Sequence, residues 1–159
     1  MTAADHSRAD IDIETAAAAD IAELCRLLGL LFAQETEFAA DVSRQQRGLQ
    51  TILQHPELGT LLVAKQQGRI VGMVNLLFTV STALGARVAL LEDVVVLPEL
   101  RGCGVGSRLI EAAIATARTT GCKRITLLTD ADNQTAQDFY RKHGFAPSKM
   151  LAMRLLLDD

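Results

Sequence analysis

The spacing of apolar residues predicts helices in the first third of the chain. Apolar positions recur every three or four residues over 16–34, which is typical of an amphipathic helix. A second helix is predicted over 42–53, and it ends before Pro56 because proline disfavours a helical residue in front of it. A short strand is predicted over 11–15. Residues 1–10 show no apolar period and are predicted to be a loose tail.

The middle of the chain has the pattern of β-strands. Three segments rich in Val, Leu and Ile follow one another over 60–66, 69–80 and 87–97. The short links at 67–68 and 85–86 each contain a glycine and are predicted to be turns. Strands joined by such short turns form an antiparallel meander.

Helical and strand patterns alternate beyond Pro98. Apolar residues at steps of four predict a helix over 104–120, which Gly121 ends. The elements predicted after it are a strand over 124–129, a helix over 132–143, a short strand over 144–147 and a buried strand over 150–157. The strands at 87–97 and 124–129 flank one helix, so we expect them to run parallel with a right-handed crossover. The predicted fold class is α/β, with a mixed and mostly antiparallel sheet in one domain over 11–159.

Composition excludes several classes of function. The chain has 159 residues with 49% apolar residues and a net charge of −3, which suits one globular domain. No run of Lys or Arg exceeds two residues, so we expect no nucleic-acid binding. No apolar stretch approaches the ~20 residues of a membrane span, and the polar, acidic start lacks a signal sequence, which predicts a cytoplasmic protein. The three cysteines form no CxxC, so neither a disulfide framework nor a metal site is expected.

The segment RGCGVGS, residues 101–107, is the densest chemical signal in the sequence. It lies between a strongly apolar strand and a long helix, so its glycines allow a phosphate to approach the N–H groups at the helix start. A merely flexible turn is the alternative. The phosphate-binding candidates are Arg101, Gly102, Cys103, Gly104, Val105, Gly106 and Ser107. The spacing fits neither the dinucleotide-binding G-x-G-x-x-G nor a P-loop, so both of those classes are disfavoured.

These residues resemble the GNAT superfamily of acetyl-CoA-dependent N-acetyltransferases. Its R-x-x-G-x-G/A signature is matched by Arg101, Gly104 and Gly106. The resemblance continues in LLEDVVVLP before the loop and in ITLLTD and DNQTAQDFYRKHGF after it, and it spans residues 60–157. It implies helices on both faces of the sheet and an acetyl-CoA cleft where the sheet splays near 87–97. The implied reaction is direct transfer of the acetyl group to a primary amine in a ternary complex.

The resemblance also implies roles for individual residues. Backbone groups of Val94, Val95 and Val96 would bind the thioester and the pantetheine amides, and Asn133 would contact the cofactor. Tyr140 would contact the cofactor and protonate the leaving sulfur. The spacing of Asn133 and Tyr140 places both on one helix face, although a lone tyrosine is otherwise typical of a packed core.

Two charged residues of the apolar strand are candidates to accept the proton of the amine. Glu92 and Asp93 interrupt that strand, and adjacent strand residues point to opposite faces. One carboxylate is therefore expected to face the cleft, and the other to lie behind the sheet beside a basic or hydroxyl group. We favour Glu92 as the base. Asp93 and bulk water are the alternatives.

Several functional questions stay open on the sequence alone. A non-catalytic acyl-CoA sensor, or an acyltransferase using another acyl-CoA or a hydroxyl acceptor, shares most of these features. The acceptor is a small-molecule amine or a peptide or protein amine. The net charge of −4 in residues 1–80 favours a cationic acceptor, although a solvated acidic surface explains that charge equally well. A homodimer is an expectation from the family only.

Overall fold

The computed structural model describes residues 10–34 and 41–157. It forms two units, one ending at Leu128 and one beginning at Thr129. The elements of the first unit, in chain order, are β1 Ile11–Thr15, a 3-10 turn Ala18–Asp20, α1 Ile21–Phe32, α2 Val42–Gln54, β2 Gly59–Gln66, β3 Arg69–Ser81, β4 Ala86–Val96, a 3-10 turn Pro98–Leu100, α3 Val105–Thr119 and β5 Ile125–Leu127. Apart from Asp10, the predicted tail over 1–10 lies outside the described residues.

The five strands form one sheet in the order β1-β2-β3-β4-β5. Successive strands from β1 to β4 are antiparallel, whereas β5 pairs with β4 in parallel. The predicted meander and the predicted parallel pair are both confirmed. The first predicted helix is shorter than expected, because the Asp20 carboxylate accepts a hydrogen bond from the Ala17 N–H at 2.8 Å and the regular helix begins only at Ile21.

Helices cover both faces of this sheet. Residues 70–76 of β3 are buried in succession, and because neighbouring strand residues point to opposite faces, both faces must be covered. On one face α3 packs so closely that a Cβ on Gly72 would lie 3.0 Å from Leu109 Cδ1 and 2.9 Å from the Val95 carbonyl oxygen. On the other, α1 packs against β3 and β4 with Leu24 and Leu27 fully buried. The predicted α/β architecture is therefore confirmed.

The second unit contains one helix, α4 Gln134–Lys142. The predicted strands over 144–147 and 150–157 are wrong, because neither segment has regular secondary structure. The large apolar residues of 150–157 are exposed, with Met150 at 89%. The segment is apolar at both odd and even positions, so it lacks the alternation that specifies a strand's register and face.

Candidate active site

Strand β4 extends beyond its parallel partner. The pairs between β4 and β5 run from Ala89 opposite Ile125 to Leu91 opposite Leu127, whereas β4 continues to Val96. Residues 92–96 are therefore paired with β3 alone, and no strand within residues 10–34 and 41–157 pairs with their other side. We call this stretch the open edge of β4.

A β-bulge lies at the start of the open edge. Glu92 lies opposite Asn75 and Val95 lies opposite Met73, so β4 has two residues between these pairs where β3 has one. Asp93, the first of the two, has a φ of +53°, in the left-handed region. Aspartate tolerates this region better than most residues because its short polar side chain bonds locally. Such a bulge bends a strand and redirects the groups beyond it.

The bulge reverses the direction of the backbone groups along β4. Before it, the Ala89 N–H donates to the Arg124 carbonyl at 2.9 Å, towards β5. After it, the Leu97 N–H donates to the Val71 carbonyl at 2.9 Å, towards β3. In an uninterrupted strand these two odd-numbered residues would donate to the same side. The N–H and C=O of Val96, one residue before Leu97, therefore point to the open edge.

Of the three valines predicted to bind through their backbone, Val96 has the supporting geometry. Val95 lies opposite Met73 and has the same parity as Leu97, so its backbone groups point towards β3. Val94 has the same parity as Val96 and immediately follows Asp93. The open edge thus presents backbone groups to an amide-bearing ligand in the manner of strand addition.

The two carboxylates beside the bulge have different surroundings. Glu92 is exposed. Asp93 is partly buried, and its Oδ2 accepts a hydrogen bond from Asn75 Nδ2 at 3.2 Å. Burial raises the pKa of Asp93, and the bond from Asn75 opposes that rise. The expected basic or hydroxyl partner of Asp93 is thus wrong; the bulge breaks the alternation on which that expectation was based.

Asn75 is the residue of this site that sequence reasoning missed. It is 4% exposed, and its Oδ1 has no hydrogen-bond partner in the part of the chain that the structure describes. The signal for it was present, because Asn75 is the single polar side chain in the buried run of β3. A buried amide inside a central strand requires a partner, and here that partner is the carboxylate of Asp93.

The loop 101–107 joins the open edge to the start of α3. Gly102 and Gly104 have φ values of +78° and +86°, which side chains rarely adopt. Gly104 is the N-cap of α3, so no side chain caps the N–H groups of the first turn. Arg101 is exposed beside them. A glycine N-cap with an adjacent arginine is a suitable site for a phosphate.

The second unit places two predicted site residues on α4. Asn133 is its N-cap, and the Asn133 Oδ1 accepts the Ala136 N–H at 3.0 Å. The Tyr140 ring makes edge contacts with Phe139 and Phe145 at centroid distances of 5.3 and 5.8 Å. Burial raises the pKa of the Tyr140 hydroxyl, so this group stays protonated at neutral pH.

A cavity of about 410 Å³ lies between α1 and α2. Ala22 and Cys25 line it on one side, and Val42, Gln46 and Gln50 line it on the other. No charged side chain lines this cavity among the described residues. It therefore offers no support for a cationic ligand there.

Within the described ranges, no three His, Cys, Asp or Glu side chains cluster as metal ligands would. None of the helices in the same ranges combines the length and apolar character of a membrane span.

The family of this chain follows from comparison with known sequences. The model of the acetyltransferase (GNAT) family matches residues 23–145. This match covers most of the chain, includes the open edge and the loop 101–107, and ends at Phe145 beyond α4. The chain belongs to the GNAT acetyltransferase family.

Individual relatives agree with this assignment. The uncharacterized N-acetyltransferase YhfO of Bacillus subtilis is 33% identical over 118 residues, which cover 72% of this chain and 78% of that protein. A glucosamine 6-phosphate N-acetyltransferase of Trypanosoma brucei brucei is 38% identical over 79 residues, which cover 49% of this chain and 52% of that protein. The second match thus spans about half of each chain.

Solved structures share the fold. A crystal structure of an acetyltransferase from Trypanosoma brucei has a TM-score of 0.73 and 28% identity, covering 93% of this chain and 100% of that one. A possible acetyltransferase from Clostridium difficile has a TM-score of 0.83 with 17% identity, covering 94% and 99%. The second shows similarity of fold alone.

Proposed function

We propose that this protein transfers the acetyl group of acetyl-CoA to a primary amine by direct attack in a ternary complex. The observation that carries the proposal is the continuity of two binding features. The open edge of β4 leads through the turn Pro98–Leu100 into the glycine-capped start of α3. A ligand with amides at one end and phosphates at the other fits this sequence of groups.

The chain's own backbone provides the binding groups. The Val96 N–H and C=O would pair with an amide of the pantetheine arm as an added strand does. The N–H groups at the start of α3, with residues 101–107, would hold the pyrophosphate. Bound there, acetyl-CoA supplies an acetyl group activated as a thioester.

Three groups of the chain would serve the transfer itself. The backbone N–H of Val94 would stabilise the negative charge that develops on the acetyl oxygen. Tyr140, whose hydroxyl stays protonated at neutral pH, would donate a proton to the departing sulfur. Asn133 would assist in holding the cofactor. A carboxylate beside the bulge would receive the proton of the incoming amine.

The relatives support an amine as the acceptor. Their names include a glucosamine 6-phosphate N-acetyltransferase, an aminoalkylphosphonate N-acetyltransferase and a thialysine N-epsilon-acetyltransferase, and also an N-alpha-acetyltransferase. These names differ in the substrate and share acetylation at a nitrogen atom. We therefore assign the acceptor as a small-molecule or peptide amine.

The test is release of free thiol from acetyl-CoA across a panel of amines. The panel comprises glucosamine 6-phosphate, an aminoalkylphosphonate, thialysine, a polyamine and a peptide with a free N-terminus. We expect amine-dependent thiol release, with the acetylated amine identified by mass spectrometry. Calorimetric binding of acetyl-CoA without thiol release from any amine would indicate a sensor instead, and no binding at all would remove the site assignment.

The role of Tyr140 has its own test. Tyr140→Phe should lower kcat by about 10²–10⁴-fold, the usual contribution of a general acid, and leave acetyl-CoA affinity within about threefold. Phe139→Leu is the control, because it alters the same aromatic contacts and keeps the hydroxyl. Equal losses of kcat in the two variants would limit Tyr140 to packing.

A further inference from the structure

We propose that Asp93, held by Asn75, is the carboxylate that accepts the proton of the acceptor ammonium group. This inference rests on the proposed function and names the base within it. It differs from the expectation from sequence, which favoured Glu92.

The bulge places Asp93 beside the reacting groups. Asp93 immediately precedes Val94, the residue proposed to stabilise the acetyl oxygen, and both lie at the start of the open edge. The left-handed conformation of Asp93 interrupts the alternation of β4, so its side chain is not confined to either regular face of the strand. A strained backbone residue of this kind inside a strand is characteristic of functional sites.

The hydrogen-bond partner of Asp93 suits a base. Asn75 Nδ2 binds one carboxylate oxygen, Oδ2, and within residues 10–34 and 41–157 no hydrogen bond occupies Oδ1. Because Asn75 is a neutral donor, it orients the carboxylate without neutralising it. An Arg or Lys partner would instead compete directly with an incoming ammonium group.

The charged groups near Asp93 leave its proton affinity high. On its own strand the neighbouring charge is Glu92, which is exposed. From β3 the group that faces it is the neutral Asn75. Helix α1 packs against β4, but its charged side chains Glu23 and Arg26 bind each other at 3.0 Å on the surface. Helix α3 also packs against β4, and no charged side chain of the described residues is among the causes that shift the pKa of Asp93. Burial is the main influence on Asp93 and makes it a stronger base than an exposed carboxylate.

The proton balance of the step is complete. The acceptor ammonium gives one proton to the Asp93 carboxylate and becomes a neutral amine. Its nitrogen then forms the C–N bond while the C–S bond breaks. The nitrogen loses a second proton, which replaces the proton given by Tyr140 to the thiolate. Asp93 returns its own proton to water, so one proton is released in each turnover.

The experiment compares Asp93→Asn with Glu92→Gln, using the panel amine that gives the highest kcat/KM with the wild type. Asp93→Asn should lower kcat/KM by about 10²–10⁴-fold near pH 7 and recover part of this loss as pH rises, because free amine becomes available from solvent. Its acetyl-CoA affinity by calorimetry should stay within about threefold. Asparagine also tolerates a positive φ, so the bulge should persist. The loss in Glu92→Gln should be smaller at every pH.

A second variant tests the part played by Asn75. Asn75→Leu keeps a similar volume and removes the hydrogen bond that lowers the pKa of Asp93. The acid limb of its kcat/KM profile should therefore move to higher pH. The carbon NMR titration of the Asp93 carboxyl should move in the same direction, and this readout needs no acceptor. A merely structural asparagine would leave both midpoints in place.

The outcomes separate this inference from the proposed function. A wild type that releases no thiol with any amine contradicts the proposed function. An active wild type whose pH profile is unchanged in Asp93→Asn contradicts the inference and leaves the proposed function intact. An Asp93 carboxyl that titrates at or below the ordinary value of about 3.9 also overturns it.

Discussion

Strand β4 consists of two stretches that look alike in sequence and differ in what surrounds them. Residues 86–91 are bonded to β3 on one side, and 89–91 to β5 on the other, whereas residues 92–96 are bonded to β3 alone among the described strands. Both stretches are mainly apolar, with ARVALL over 86–91 and EDVVV over 92–96. The two stretches differ in their backbone. At Asp93, β4 has one residue more than β3, and this reverses the side to which the following N–H and C=O groups point.

We therefore expect residues 86–91 to contribute mainly to the stability of the fold and residues 92–96 mainly to ligand binding. In the paired stretch the backbone donors are used inside the sheet, so their loss weakens the fold. In the open stretch the outward-facing groups of Val96 are left to water or a ligand. A change there should affect binding much more than folding. Substitutions in the two stretches test this separation directly.

The largest expected effect is that of Ala89→Pro in the paired stretch. The proline removes the N–H that donates to Arg124 and forces a ring into a site that is 1% exposed. We expect a loss of about 3 kcal/mol or more in the free energy of unfolding. Chemical denaturation followed by circular dichroism measures it. A variant as stable as the wild type would show that the β4 and β5 pairing does not support the sheet.

Gly104→Val should have the next largest effect, this time on binding. A side chain at the N-cap of α3 would obstruct the approach of a phosphate, so we expect acetyl-CoA affinity to fall by about 10- to 100-fold in calorimetry. Gly85→Val is the matched control, because Gly85 also has a positive φ and lies in the turn between β3 and β4. Both variants should lose about 1–2 kcal/mol of stability. Equal affinity in the two would remove the phosphate site.

Val96→Pro tests the open stretch itself. It removes an N–H that points away from β3, so the free energy of unfolding should fall by less than about 1 kcal/mol. Acetyl-CoA affinity should fall about 3- to 10-fold, which corresponds to one neutral hydrogen bond. Thermal melting and calorimetry on the same preparation separate the two effects. If the free energy of unfolding falls as far as in Ala89→Pro, the Val96 N–H donates a hydrogen bond within the sheet.

The same comparison shows which parts of the structure could be predicted from sequence. The strand predicted over 69–80 is Arg69–Ser81, and the helix predicted over 104–120 is Val105–Thr119. The helix buries apolar residues at steps of three or four, and the strand is a segment rich in Val, Ile and Leu, and both patterns are visible in the sequence. The glycine loop was also recognisable, because glycine is the residue that positive φ values require.

The bulge could not be predicted from the same period. Alternation assumes an uninterrupted strand, and the shift at Asp93 depends on how β4 registers against β3, which is a property of two segments together. For this reason Asp93 was expected to have a basic or hydroxyl partner, whereas it binds the amide of Asn75. The polar residues Asn75 and Asp93, both inside apolar strands, were the available signal for a special contact.

The smallest expected effect is on the stability of Asp93→Asn. Burial raises the pKa of Asp93 in the folded protein above its unfolded value, so the folded state favours the protonated carboxyl. The contribution of Asp93 to the free energy of unfolding of the wild type is therefore fully present below its unfolded-state pKa of about 3.9. This contribution decreases as pH rises through the folded-state pKa. Asparagine is neutral throughout. The free energy of unfolding of Asp93→Asn should therefore increase relative to that of the wild type as pH rises. The difference should reach about 1 kcal/mol at pH 7, a common size for such stabilising changes.

The measurement is the free energy of unfolding of both proteins between pH 3 and pH 8. Asp138→Asn serves as the control, because Asp138 is exposed and binds Arg141 at 2.9 Å, so its loss should bring no gain in stability at higher pH. A constant difference between Asp93→Asn and the wild type across this range would mean that the Asp93 carboxyl has the same proton affinity in the folded and unfolded chains. A relative stability of Asp93→Asn that increases with pH, together with a loss of kcat/KM, would show that Asp93 destabilises the fold. It would also show that the open edge of β4 keeps a basic carboxylate beside the acetyl group at that cost.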